Sequence, residues 1–136
     1  MLKIGGYINI LIGLAHLIGL LWANTMFEVT GIGQEMKDLS EIHSSLPYLL
    51  TILAALFFFV FGYYGLSAEN KHKKLPFLKP VIFTITVIYI LRGIGGLAVT
   101  TGQRTDLILE ILYSLVALII GLLYLFGGLK IRKSAN

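Results

Sequence analysis

Apolar residues run almost unbroken through four stretches of this chain: Ile4 to Ala23, Leu46 to Ala68, Leu75 to Thr100 and Leu107 to Leu129. Each reaches the roughly 20 helical residues that a hydrocarbon core demands. Each is also too long for a buried strand. The pattern predicts an all-α membrane protein, a four-transmembrane-helix bundle forming one domain over residues 1–136. A cleaved leader is the alternative for the first run. Only Lys3 precedes that run, and no small-x-small cleavage site leads into a soluble domain, so a span is expected.

The connections differ in length. Glu69 to Lys74 reads as a tight turn that makes the second and third spans antiparallel neighbours, and Pro76 and Pro80 suit the first turns of the third span, where a missing N–H costs little. Thr101 to Asp106 is equally short, with Thr105 or Asp106 placed to cap the fourth span. Asn24 to Ser45 is longer and mixed. Gly31-Ile-Gly33 breaks it, and beyond Gln34 the residues Met36, Leu39, Ile42 and Leu46 recur at helical spacing among Glu35, Lys37, Asp38 and Glu41. This spacing fits a short amphipathic helix lying on the outer membrane surface; over so few turns an irregular loop fits it as well.

Lipid supplies no hydrophobic force between helices, so packing relies on small residues and hydrogen bonds. Each span carries such a stripe: Gly6, Asn9, Gly13 and His16; Tyr48, Thr51, Ala55, Gly62 and Gly65; Thr86, Tyr89, Gly93 and Gly96; Glu110, Ser114, Ala117, Gly121, Tyr124 and Gly128. Most Leu, Ile and Phe residues, including the run Phe57 to Phe61, are expected on the lipid-facing sides.

Composition agrees with this picture: 57% of residues are hydrophobic and 13% charged, more apolar surface than a soluble domain of 136 residues could bury. The absence of cysteine excludes disulfides, thiolate metal sites and thiol chemistry. The net charge of +4 does not imply nucleic acid, because no stripe of interleaved basic and aromatic residues is present. The cations instead flank the spans. Lys3, Lys71, Lys73, Lys74, Lys79, Lys130, Arg132 and Lys133 fall on one side if the helices alternate, against Lys37 and Arg104 on the other. The positive-inside rule then puts both termini in the cytoplasm, N-in and C-in.

The candidate chemistry is polar residues within or beside the spans. Arg92 lies well inside the third span, and a buried arginine usually faces the bundle and has a partner. Glu110, one turn into the fourth span, is the expected partner, with His16 nearby. Glu28, Glu41 and His43 fall in the same outer half, and Tyr89, Tyr113 and Ser114 can supply hydroxyls. Three readings fit: a structural ion pair in a scaffolding or partner-binding bundle; an outward-open pocket in which Arg92 holds an acid, a phosphate or a quinone oxygen; and metal or haem binding by His16, His43 and Glu41. The last is disfavoured by mismatched depths and by the lack of a His-x-x-His or Glu-x-x-His motif, so no metal is expected. No Ser-His-Asp spacing, glycine-rich phosphate loop or His-Glu-x-x-His motif suggests catalysis.

Phe61-Gly-Tyr-Tyr-Gly-Leu-Ser67, Leu75-Pro-Phe-Leu78, Ile88-Tyr-Ile-Leu-Arg-Gly93 and Leu118 to Gly127 resemble segments of small, uncharacterised bacterial four-span membrane proteins and, more distantly, of the DoxX-like group. Tyr-x-x-Arg-Gly is the distinctive element. The resemblance implies a bacterial inner membrane and four helices; the link of DoxX-like proteins to quinone-related redox membranes leans toward the pocket reading. It carries no reaction and no cofactor onto these residues. The expectation is a binding or accessory component in contact with the lipid bilayer and with a small amphipathic ligand or a membrane protein partner. The alternative is a small carrier or ligand-binding protein for an amphipathic acid, lipid or quinone, using Arg92, Glu110, His16, Tyr89, His43, Glu41 and Glu28.

Overall fold

A computed structural model of the chain describes residues 1–68, 75–99 and 107–133. Among the described residues every regular element is helical: α1 (Leu2–Gly19), a 3-10 turn (Leu20–Trp22), α2 (Ala23–Val29), α3 (Gly33–Ile42), α4 (Leu46–Ala68), α5 (Leu78–Val99) and α6 (Leu107–Lys133). Four stretches are long and apolar enough to cross a membrane: Leu2–Val29, Leu46–Ala68, Leu78–Ala98 and Leu107–Ile131. This is a multi-pass membrane protein. The turns expected at 69–74 and 101–106, and the cap expected from Thr105 or Asp106, lie outside the described residues.

The contacts divide the chain into two compact units, Met1–Ile8 with Phe61–Asn136, and Asn9–Val60. In the first, α5 packs along α6. The buried residues of α6, Ser114, Ala117, Ile120 and Tyr124, recur every three or four positions, as do Leu78, Ile82, Ile85 and Tyr89 of α5. Glycines bring backbones together here. A side chain on Gly6 would start 2.8 Å from the Gly62 carbonyl, and one on Gly65 would start 2.9 Å from the Leu2 carbonyl and 2.6 Å from the Tyr124 hydroxyl. Tyr124 is fully buried, donates to the Phe61 carbonyl at 2.6 Å and stacks on Tyr89 with centroids 6.4 Å apart.

In the second unit, Gly13 sits against Phe59 and the Ala55 carbonyl, and the His16 ring lies 5.0 Å from that of Phe58. The run Phe57 to Phe61 is thus divided. Phe57 and Val60 face outward, whereas Phe58 and Phe59 pack inward, because five consecutive helical residues sweep more than one full turn. Tyr48, expected on the packing stripe, is also largely exposed.

The first span ends later than its apolar run suggests. After the 3-10 turn the chain resumes helix through Val29. Gly31, at φ 75°, then closes α2: its N–H donates to the Glu28 carbonyl at 3.1 Å and that of Ile32 to the Phe27 carbonyl at 3.0 Å. This is the paired-bond stop that a left-handed glycine permits. The break expected at Gly31-Ile-Gly33 is therefore present, and the amphipathic pattern after it is a helix, α3. Met36 and Leu39 are half-buried on one face, whereas Glu35, Lys37, Asp38 and Glu41 are exposed.

The third span starts three residues later than its apolar run. Pro76 holds Leu75 away from helical geometry, and Phe77 takes a positive φ of 53°. The Leu75 N–H donates to Ser67 Oγ at 3.0 Å, and the Tyr64 hydroxyl to the Pro76 carbonyl at 3.3 Å. Only Pro80 falls in the first turn of α5.

Candidate functional site

Arg92 and Glu110 meet across the α5–α6 pair. Arg92 Nη1 donates to Glu110 Oε1 at 2.8 Å, and Nη2 donates to Oε2 at 3.4 Å, a two-point contact between guanidinium and carboxylate. Glu110 occupies the first turn of α6, where the helix dipole favours a negative charge. Its side chain is 17% exposed, and that of Arg92 is 47% exposed. Arg92 lies seven residues before Val99, roughly 10 Å along a helix rising 1.5 Å per residue. A charge at that depth requires a partner, and Glu110 supplies it.

The pair closes over Gly96. A methyl group there would collide with Ser114 Oγ and Arg92 Nη1 and would start 2.6 Å from Glu110 Oε1. Glycine is what leaves room for the three polar atoms. The helical register explains the cluster: Arg92 and Gly96 are four apart on α5, and Glu110 and Ser114 are four apart on α6, so each couple shares a face. Ser114 is fully buried, and its hydroxyl has no hydrogen-bond partner among the described residues. Gly93 brings the helices closer still, its hydrogen facing the Leu118 side chain and the Ser114 carbonyl.

Of guanidinium's five N–H donors, two serve Glu110. No other group among the described residues engages the rest. Next to Arg92 on the helix surface, a side chain added at Gly95 would meet nothing within 4 Å.

The other sequence-selected residues have local roles. His16 donates from Nδ1 to the Ile12 carbonyl at 2.8 Å, one turn back, besides packing on Phe58. Tyr89 is buried between Tyr124 and Phe61, the latter edge-on at 6.1 Å, in the packing core and not at the ion pair. The Glu28 carboxylate lies over Gly33, the first residue of α3, where a side chain would start 2.7 Å from Oε1. His43 ends α3 in extended backbone and accepts at Nδ1 from the Ser45 hydroxyl at 2.7 Å and the Ser45 N–H at 3.2 Å, ordering the chain ahead of α4. Glu41 is exposed on α3. Thus Arg92 and Glu110 are brought together, whereas Glu28, His43 and His16 each fasten a turn or helix of the other unit. Among the described residues no group of three or more His, Asp or Glu could hold a metal ion.

Gly96 is the site residue that the sequence did not single out beyond its small size, whereas Ser114 was expected there as a source of a hydroxyl. The signal was available in the two four-residue spacings.

No family model matches the chain, and no curated protein and no solved structure matches it.

Proposed function

We infer that this chain is a small binding or accessory component of a bacterial cytoplasmic membrane, with both termini on the cytoplasmic side, holding a small amphipathic ligand at Arg92. The observation that carries this reading is the half-used guanidinium. Glu110 fixes one edge of Arg92, and the remaining donors are unmatched among the described residues at a depth where polar groups need partners. The carboxylate orients the guanidinium, and the open side at Gly95 gives a ligand room to reach it. The orientation rests on the asymmetry of eight cations against two across the spans. The bacterial membrane rests on the resemblance around Ile88 to Gly93.

A second reading is favoured by the burial of Glu110 and the close helix contact at Gly93: the pair serves only to lock α5 to α6. A native mass spectrum of the full chain in mild detergent separates the two. A bound small molecule that is retained by the wild type and lost from Arg92→Gln supports a ligand site. The bare chain mass from both proteins overturns it.

A further inference from the structure

The net charge of the Arg92 cluster restricts what it can bind. Arg92 and Glu110 cancel one another, so a carboxylate added to the free edge of the guanidinium leaves one uncompensated negative charge inside the span. An unpaired charge in a low-dielectric site is strongly disfavoured, and the usual remedy is protonation. Two carboxyl groups sharing one cation would therefore keep one proton between them. The buried hydroxyl of Ser114 lies beside the Glu110 carboxylate and can accept from a proton kept there. It has no hydrogen-bond partner among the described residues, and both it and Glu110 Oε1 border the missing side chain of Gly96.

The surroundings define the rest of the ligand. Leu91 beside Arg92 is 65% exposed, and Gly95, one turn further on the same face as Leu91, leaves its side open. An acyl chain lying there would have its head at the guanidinium. We propose that this site takes up a single-chain amphiphile by its carboxyl group, together with one proton. The proposal rests on the reading of Arg92 as a ligand-holding residue. A carboxyl head can bring or receive the proton. A permanently ionised head, such as the phosphodiester of a membrane lipid, leaves only Glu110 to take it and stays fully charged beside the cluster. On α5 and α6 the titratable or charged side chains in this half are Tyr89, Arg92, Glu110 and Tyr113; Lys79 and Lys130 belong to the far ends of these helices.

The test uses the full chain in neutral detergent, with octanoate as the carboxylic probe and octanesulfonate as the permanently ionised one. Co-binding of one proton weakens octanoate affinity about tenfold per pH unit between about pH 6 and 8, where free octanoate is ionised. Octanesulfonate is expected to bind wild type less than about one-tenth as tightly as octanoate at pH 6, a gap of about 1.4 kcal/mol. In Glu110→Gln the cation is uncompensated, so both probes should bind with no pH slope. Arg92→Gln should lose both. A flat octanoate profile in the wild type, which requires no variant to fold, overturns the proton coupling and leaves the ligand reading standing. Equal binding of both probes to the wild type overturns the preference for a carboxyl head. Binding unaffected by Arg92→Gln overturns the ligand reading itself.

Discussion

The Tyr124 hydroxyl donates to the main-chain carbonyl of Phe61 at 2.6 Å, tying α6 to α4 through a carbonyl that already belongs to a helix. The ring is fully buried and stacked on Tyr89. Tyr124→Phe keeps the ring and removes the bond. It should lower stability by about 1 kcal/mol, read as an earlier midpoint in denaturation from detergent micelles. An unchanged midpoint would mean that the ring alone carries the contact.

The glycines of α5 should respond in opposite ways. Gly96→Ala drives a methyl into Ser114 Oγ and the ion pair, and Gly93→Ala drives one into Leu118. Each should cost about 1–3 kcal/mol, the usual range for overpacking. Gly95→Ala meets open space and should be neutral or slightly stabilising, since alanine is the better helix former. Equal damage at positions 95 and 96 would contradict the packing described for α5 and α6.

Removing either member of the ion pair strands the other. Arg92→Leu or Glu110→Leu alone should cost on the order of 2 kcal/mol, whereas the double replacement should cost less than half of that, because neither charge is left unpaired. A double-mutant cycle on denaturation midpoints measures the coupling. Additive losses would show that the contact at 2.8 Å contributes little.

The proposed orientation is open to chemical labelling, since the chain has no cysteine of its own. Lys71→Cys and Ser134→Cys should resist an impermeant thiol reagent applied to intact cells, and Gln103→Cys should react. The reverse pattern would turn the protein over in the membrane.

Helix α3 should lie in the interface. Spin labels at Met36, Leu39 and Ile42 should be reached by oxygen dissolved in lipid, and labels at Glu35 and Asp38 by a water-soluble relaxing agent. Water access at all five positions would detach α3 from the bilayer.

The sequence makes the long elements legible because a bilayer imposes one length and one composition on whatever crosses it. Leu46–Ala68 coincides with its apolar run for that reason. The residues that stop a helix are harder to read. Val29 is reached because Asn24, Thr25 and Glu28 are tolerated in a helix that has left the most apolar stretch, and only the left-handed Gly31 ends it. Phe77 adopts a conformation that its side chain does not favour, so nothing in its identity announces the late start of α5. The Arg92–Glu110 contact was legible, since a charge within an apolar span needs a partner and one acidic residue stood within reach. The unmatched Ser114 hydroxyl was not. It depends on the crossing of α5 and α6 at Gly96, which spacing alone does not set.

The extra turns after Trp22 have a mechanical consequence. Leu2–Val29 comprises 28 residues, about 42 Å of helix if continuous, against a hydrocarbon layer of about 30 Å. Such an excess is absorbed by leaning or by bending, and the 3-10 turn at Leu20–Trp22 supplies a bend. Trp22 is 63% exposed at that joint, and indole rings settle at headgroup level. Helix beyond Trp22 then belongs to the headgroup layer and not to the hydrocarbon, where the polar residues Asn24, Thr25 and Glu28 meet water.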